Sequence, residues 1–416
     1  MISKIEIFLL KVFIIMIPLN YIIFNIFLKD ITILKIWKDC IILILLSIQL
    51  IKILKKREIY RPDINDIFIT LFILVELIYL IMSPNVKSAI YMFRVYTQPI
   101  VIYILVKNME LDYKVIIRLK TIIINEALIL SVYGIFQALF LGHNFLISIG
   151  YSTQQNGLLD NSFYLSGLGG FQRVSSTFAS PNLYGFYISM ILILFLSGKN
   201  FKMVKGKDKI IFGILISGCV LSFSRSSWLG LSLAMLFIFS KSNFKVKLIK
   251  IFSGIFTLGV IFILVFTKIT GVNIFNNIYH LVSNTFSLKD TSVIGHIDSF
   301  SKSVNMSLDN IMGVGFGING PKSMLFVDNP NLTESSYFLL LYDFGVIGFF
   351  TYIIILIVNM FKSMRNTINK SMTIFVLIAF VFLPYIQDSE VMIFYFIFIA
   401  ILDNRYCFNS GLGKTK

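Results

Sequence analysis

The chain has 416 residues, of which 57% are hydrophobic and only 14% are charged. Successive segments of this composition cannot be packed as the half-apolar faces of a soluble fold, so a soluble domain is excluded and the bilayer must be the solvent. The formal net charge of +16 would suit nucleic acid, but the basic residues lie in the joints between apolar segments, which membrane topology explains better. We therefore expect membrane lipids as partners and no nucleic acid.

Apolar segments follow one another along the whole chain and predict an all-α, polytopic integral membrane protein with about twelve transmembrane helices. We treat residues 1–416 as a single membrane domain, and no internal repeat is visible in it. The last two predicted spans, around Pro384, could instead form one broken helix or a re-entrant hairpin. The predicted spans are residues 5–28, 34–53, 64–82, 89–106, 119–141, 181–197, 209–223, 227–240, 248–267, 334–360, 371–386 and 389–402.

Lysine and arginine lie mainly in every second joint, which predicts the sidedness of the spans because basic residues are retained in the cytoplasm. The basic joints at residues 52–61, 199–209 and 241–250 are then cytoplasmic, as are both termini. Two long joints, residues 142–180 and 268–333, fall on the extracytoplasmic face. Long segments of a compact protein usually carry function or are disordered, so a functional site is expected there.

Neither a metal nor a nucleotide is predicted. Cys40, Cys219 and Cys407 show no CxxC pair and no Cys/His ligand spacing, so we expect neither a disulfide nor a metal site. The glycine cluster GVGFG at residues 313–317 lacks the GKS or GKT ending and the preceding βα pattern of a phosphate loop. The sequence therefore predicts no cofactor.

Arg173 is the first candidate site residue. It stands in GGFQRVSSTFASPNLYGF, just before a helix whose start is marked by Ser180 as N-cap and by Pro181 in the first turn. A guanidinium beside a helix N-terminus suits an anion such as phosphate. The alternative is an interfacial arginine whose side chain reaches up to water.

Two further arginines could bind an anionic substrate. Arg225 lies in LSFSRSSWLGL, in a tight turn between two apolar spans, where its five donors could bind a pyrophosphate. A structural ion pair or a solvated turn is the alternative. Arg94, in YMFRVYTQP, lies near the outer end of its span and could instead reach water or pair with Glu76.

Acid–base candidates come from the second long joint and the span after it. His296, in GHIDSFSKSV, could be a base or a donor to substrate, although a lone histidine is more often neither. Glu334 lies at the start of the following helix, where a carboxylate could also simply cap the helix. Asp343 lies further along that helix and could face a lumen or pair with a cation.

The segment from about Leu165 to Phe350 resembles the O-antigen ligase and polymerase superfamily, specifically the Wzy-type polysaccharide polymerases. The resemblance rests on an arginine before STFASPNLYGFY, the SFSRSSWLGL turn, a long outer joint ending in GVGFG, and ESSYFLLLYDFGVIGFF. It implies a metal-independent, inverting, GT-C-like glycosyltransferase of the bacterial plasma membrane. Its substrate would be an oligosaccharide carried on undecaprenyl pyrophosphate, and a flippase and chain-length regulators would be further partners.

By this resemblance, Arg173 and Arg225 would match the family's arginines that hold the pyrophosphate or the growing glycan. Glu334 or His296 would then be the catalytic base, with Arg94 as a further substrate-binding residue. Ligases usually carry a histidine where this chain has Glu334, Ser335 and Ser336. The arginine expected upstream of the glycine cluster is also missing, and His296 stands roughly in its place.

The missing histidine favours a polymerase, which would join lipid-linked repeat units into capsular polysaccharide, O-antigen or exopolysaccharide. Two alternatives stay open at this point. A ligase would attach finished glycan to an acceptor, and a flippase would move the lipid-linked unit across the membrane. The flippase leaves the two long outer joints without a function.

Overall fold

The computed structural model describes residues 2–56, 62–151, 153–154, 157–165, 171–197, 206–240, 291–328, 330–362 and 367–404. Over these residues the chain is helical, and the only extended pairings are isolated bridges such as Tyr164 with Gln172. The predicted all-α class is therefore confirmed. The predicted span at residues 248–267 lies outside the described residues.

Thirteen α-helices lie in the described ranges, and two of them continue as wider π-helical turns. The turns are Tyr21–Phe27 after the first helix and Gln137–Leu141 after the fifth. The helices are α1 (Ile2–Asn20), α2 (Trp37–Lys56), α3 (Ile64–Met82), α4 (Val86–Lys107), α5 (Tyr113–Phe136), α6 (Gly142–Ile149), α7 (Pro181–Ser197), α8 (Gly206–Leu221), α9 (Arg225–Ser240), α10 (Thr291–Asp309), α11 (Ser336–Lys362), α12 (Thr367–Phe382) and α13 (Ser389–Leu402).

Among the described residues, four helical segments are long and apolar enough to cross a bilayer, which indicates a multi-pass membrane protein. They are Ser3–Phe27, Ile64–Met82, Val86–Lys107 and Ser336–Phe361. Shorter apolar helices include α7, α9, α12 and α13. Helices are found at eleven of the twelve predicted spans, but several are short, so the count of twelve spans stays a prediction.

Successive long helices run in opposite directions because most of their connections are short, and this divides the bundle into two ends. We call the end that holds the starts of α7, α9, α11 and α13 the site end. The opposite end is closed by ion pairs, in which the fully buried Lys107 bonds Asp63 at 2.8 Å and also bonds Asp66. Lys52 pairs with Glu6 at the same end.

Helix α13 lies at the centre of the bundle. From Val391 to Ile401 every side chain is buried, and the helix packs against α4, α7 and α12. Its sequence is apolar on all sides, which is the pattern of a helix surrounded by other helices rather than one with a solvent-facing surface. The α12–α13 connection, residues 383–388, is thereby held in the middle of the site end.

Part of the second long joint is helical, since residues 291–309 form helix α10. Ser299, Ser303 and Ser307 lie four residues apart on one face of α10. Two of them bond the adjacent segment of the same chain, residues 332–338. Ser299 Oγ donates to the carbonyl of Leu332 at 3.0 Å and Ser307 Oγ to that of Phe338 at 3.3 Å. Because α10 has no long apolar run, its sequence does not predict a membrane span.

Candidate functional site

Arg173 is held at the site end by neutral oxygen atoms. Its Nε donates to the carbonyl of Ser222 at 2.9 Å, and its Nη1 donates to that of Ser162 at 2.7 Å. Its Nη2 donates to Asn182 Oδ1 at 2.7 Å and to the carbonyl of Phe223 at 3.2 Å. The side chain is only 9% exposed. These acceptors satisfy four donors without cancelling the positive charge, so Arg173 is a buried cation that both orders three segments and attracts anions.

The predicted helix start beside Arg173 is confirmed. Helix α7 begins at Pro181, and the backbone N–H of Leu183 donates to Ser180 Oγ at 3.4 Å, as expected of an N-cap serine. Asn182, in the first turn, accepts the hydrogen bond from Arg173. The guanidinium therefore lies at the positive end of this helix.

Arg225 is the first residue of α9 and is exposed. The turn before it is compact, because Phe223 adopts a positive φ of 49° and Ser224 Oγ lies 2.9 Å from Ser227 Oγ. Burial first, and then repulsion from Arg225, lower the pKa of Arg173 from 12.5 to about 10 against an opposing effect of Tyr385. Arg173 is still a cation at neutral pH, and the structure brings the two predicted arginines together.

Tyr385, in the α12–α13 connection, lies between the turns that carry the two arginines. Its hydroxyl is 3.0 Å from Ser226 Oγ, next to Arg225, and donates to the carbonyl of Asn182 at 3.4 Å. The ring packs against Phe186 of α7 in a tilted arrangement, with centroids 4.3 Å apart and an interplanar angle of 42°. The polar run after Pro384, between two apolar segments, is the signal that could have pointed to this connection from the sequence.

Glu334 is half-buried just before α11, and both of its neighbours are anchored. Thr333 Oγ1 donates to Asn319 Oδ1 at 3.0 Å, and Ser335 Oγ donates to the carbonyl of Phe380 at 3.1 Å. One residue on, Ser336 Oγ donates to the carbonyl of Leu383 at 2.7 Å. The α12–α13 connection thus contacts the start of α11 as well as the two arginine turns.

The glycine cluster has a structural explanation in a break within α11. Gly345 has a φ of +61° inside this helix, and the chain from Ile311 to Gly315 fills the break. Val314 N–H donates to the carbonyl of Tyr342 at 3.0 Å, Gly315 N–H to that of Asp343 at 3.1 Å, and Val346 N–H to that of Ile311 at 3.0 Å. The glycines allow two backbones to touch at a buried helix break, where peptide groups must find partners within the protein.

Asp343 is fully buried beside this break. Its Oδ2 accepts the hydrogen bond of the Tyr96 hydroxyl at 3.1 Å, and its Oδ1 has no hydrogen-bond partner among the described residues. Tyr96 in turn packs edge-on against Phe316 and Phe344. Neither the lumen nor the paired cation that the sequence suggested is shown at Asp343.

Arg94 also lies towards the site end, on α4, but in an ion pair. Its Nε donates to Asp39 Oδ1 at 3.2 Å, and its Nη2 bonds Asp39 Oδ2. Gln98 Nε2 donates to the same carboxylate at 2.6 Å. Glu76, the alternative partner, instead accepts from Thr97 at 2.8 Å. The charge of Arg94 is therefore largely compensated, whereas that of Arg173 is not.

The backbone of His296 lies in α10, and its side chain is outside the described residues. Sequence reasoning missed a pair of charged contacts beyond Tyr385. Lys322 Nζ lies 3.3 Å from Asp388 Oδ1, and Lys38 Nζ lies 3.0 Å from Glu390 Oε1. Burial alone would lower the pKa of Lys322, but the nearby carboxylates outweigh it and raise that pKa above its ordinary value.

Part of this candidate site lies in a segment that is similar to a known protein family. The family model described as O-Antigen ligase matches residues 210–353, from α8 into α11. Arg225, His296 and Glu334 lie within the matched residues, and Arg94 and Arg173 lie outside them. No curated protein matches the chain. The match over residues 210–353 supports the predicted resemblance to the O-antigen ligase and polymerase superfamily.

Proposed function

We propose that the protein is an inverting glycosyltransferase that polymerises undecaprenyl-pyrophosphate-linked oligosaccharide repeat units. One observation supports this function above the others. Arg173 and Arg225, which are 52 positions apart in the chain, meet at one end of a membrane bundle, where Arg173 Nη2 donates to the carbonyl of Phe223, two residues before Arg225. Two adjacent cations are unfavourable by themselves and become favourable when a dianionic group such as a pyrophosphate binds between them.

The two arginines have different roles in the proposed site. Arg225 is exposed at the start of α9, so it is the direct ligand of the pyrophosphate. Arg173 uses four of its donors on the protein, so it acts chiefly through its charge and by ordering the turn before Arg225. The pyrophosphate is the leaving group, and these guanidiniums stabilise the negative charge that develops on it, with no metal in the proposed reaction.

The chemical step is a single displacement. The acceptor sugar's hydroxyl oxygen forms a bond to the anomeric carbon of the donor glycan while the bond from that carbon to the pyrophosphate oxygen breaks. The bonding electron pair leaves with the pyrophosphate, and the hydroxyl proton passes to the carboxylate of Glu334. His296 is the second candidate for this base. Arg94, held by Asp39, is assigned to the rim of the glycan site.

The proposed topology follows from the basic joints. Twelve spans in a GT-C-like arrangement, with both termini in the cytoplasm, put the site end at the outer face of the bacterial plasma membrane. The repeat units, delivered there by a flippase, would be joined into capsular polysaccharide, O-antigen or exopolysaccharide under a chain-length regulator. The long joints at residues 142–180 and 268–333 would then enclose the glycans.

A ligase is the second candidate, because the matched family is described as O-Antigen ligase. Glu334, Ser335 and Ser336 at the start of α11 favour the polymerase, since ligases usually have a histidine there. The polymerase, ligase and flippase functions predict different results in a strain that lacks this protein. The measurement is the size of the lipid-linked glycans and the membrane leaflet that holds them. A polymerase deletion accumulates single repeats on the outer leaflet, a ligase deletion leaves long chains on the carrier, and repeats confined to the inner leaflet indicate a flippase.

The arginine assignment is tested by returning variants to the deletion strain. Arg225→Ala should lower polymer yield at least about ten-fold, the loss expected for a charge-assisted contact to a developing anion. Arg225→Lys should restore part of it, since the charge stays and the two-pronged donor geometry is lost. Lys114→Ala, an exposed cation on α5, is the matched control. Normal polymer in Arg225→Ala, at equal protein level in the membrane, would remove this mechanism.

A further inference from the structure

We propose that Tyr385 is a positioning residue that sets the spacing of Arg173 and Arg225, and thereby the preference of the site for a diphosphate over a monophosphate. The inference rests on the proposed function, because it concerns the same anion. Tyr385 lies outside the matched family segment, which ends at residue 353.

The Tyr385 hydroxyl is a second link between the two arginine turns, beside the bonds that Arg173 itself makes to the carbonyls of Ser222 and Phe223. Asn182, whose backbone carbonyl it contacts at 3.4 Å, is the residue whose side chain accepts from Arg173 at 2.7 Å. Ser226, whose hydroxyl lies 3.0 Å from that of Tyr385, is bonded covalently to Arg225. A single phenol therefore joins the start of α7 to the start of α9.

Tyr385 is itself held firmly, so it can act as a fixed point. Its side chain is 1% exposed and is packed on Phe186. The residues that follow it are anchored as well. The N–H of Ile386 donates to Ser336 Oγ at 3.4 Å, and Gln387 Nε2 donates to the carbonyl of Asn319 at 2.8 Å. The α12–α13 connection is thereby tied to α11 and to the glycine-rich segment.

Arg173 holds the turn before Arg225 through the carbonyls of Ser222 and Phe223, and Tyr385 holds the first turn of α9 through Ser226. Losing the Tyr385 hydroxyl would therefore let the start of α9 shift relative to Arg173. A diphosphate can contact two guanidiniums at a set spacing, one through each phosphoryl group, whereas a monophosphate gains less from that spacing. Removing the Tyr385 hydroxyl should therefore weaken diphosphate binding more than monophosphate binding.

The experiment measures binding of farnesyl pyrophosphate and farnesyl phosphate to the purified full-length protein in lipid nanodiscs. Tyr385→Phe removes the hydroxyl and keeps the ring. Tyr395→Phe is the matched control, because Tyr395 is also buried and its hydroxyl lies 3.0 Å from Thr373 Oγ1, on α12. Ser226→Ala removes the bond to Tyr385 from its other side.

We expect Tyr385→Phe and Ser226→Ala to reduce the wild-type preference for the diphosphate by about three- to ten-fold, the size of one lost hydrogen bond. Tyr395→Phe should leave the preference unchanged, although both phenylalanine variants should lower the melting temperature alike. An unchanged preference in Tyr385→Phe, or an equal loss of preference in Tyr395→Phe, would overturn this inference but not the proposed function. Wild-type protein that binds neither probe, or whose binding ignores Arg225→Ala, would overturn the proposed function too.

Discussion

At the scale of single residues, the three predicted arginines differ by their partners. Arg94 shares its charge with Asp39, Arg173 is surrounded by neutral oxygens, and Arg225 is exposed at a helix start. An ion pair is close to neutral from outside and attracts a distant anion only weakly, so Arg94 should contribute less to anion binding than Arg173. The environment of each guanidinium therefore decides its role, and Arg173 should serve stability as well as binding.

Arg173→Lys tests this double role. An ammonium group keeps the charge but cannot reach the carbonyls of Ser162, Ser222 and Phe223 together, so buried acceptors lose their donor. We expect a loss of stability of about 3 kcal/mol, at the upper end for unsatisfied buried groups. Thermal unfolding of the purified protein measures it. Arg118→Lys, an exposed site on α5, should leave the melting temperature unchanged. Equal melting temperatures for both variants would show that Arg173 orders nothing.

At the scale of elements, the break in α11 connects the matched family segment to the rest of the bundle. The chain from Ile311 to Gly315 fills the break on one side, and Ser83 Oγ donates to the carbonyl of Phe316 at 2.6 Å on the other. The glycine-rich segment thus lies between α11 and the α3–α4 turn. Its glycines are required by close backbone contact rather than by a phosphate.

Gly345→Ala should therefore be strongly destabilising. Its φ of +61° is unfavourable for a residue with a Cβ, and an added Cβ would collide with the backbone of Met312. We expect a cost of more than about 2 kcal/mol, from backbone strain alone. Gly213→Ala is the control, because that glycine lies in helix α8 and an added Cβ meets nothing within 4 Å. If Gly345→Ala unfolds at the same temperature as Gly213→Ala, the backbone insertion is wrong.

At the scale of the whole molecule, ion pairs occur at both ends of the bundle. At the opposite end, Lys107 is fully buried between Asp63 and Asp66, and Asn404 Nδ2 donates to the carbonyl of Met109 at 2.8 Å. At the site end, Lys322 pairs with Asp388, whereas the acceptors of Arg173 are neutral. The opposite end holds α3, α4 and α13 together, so we expect its ion pairs to serve stability rather than substrate binding.

Lys107→Met should destabilise the entire bundle without altering the site. Removing the cation leaves two partly or fully buried carboxylates without their shared partner, a cost of about 3–5 kcal/mol for a broken buried pair. We expect a lower melting temperature and less protein in the membrane, with normal glycan per remaining protein. Lys114→Met, an exposed lysine on α5, controls for the lost charge. Altered glycan length in Lys107→Met at normal protein level would contradict this division.

The sequence alone determined where most helices lie, because a bilayer requires long apolar runs whose length can be counted. It also singled out Arg173 and Arg225 as candidates, since cations beside helix starts are rare in an apolar chain. Helix α10 was not predicted, because its sequence mixes polar and apolar residues and has no long apolar run. Only the tertiary structure decided that Arg94 pairs with Asp39, 55 residues away, and that Tyr385 reaches Ser226 across 159 residues. Contacts between distant segments are set by how helices pack, and local sequence patterns carry no record of them.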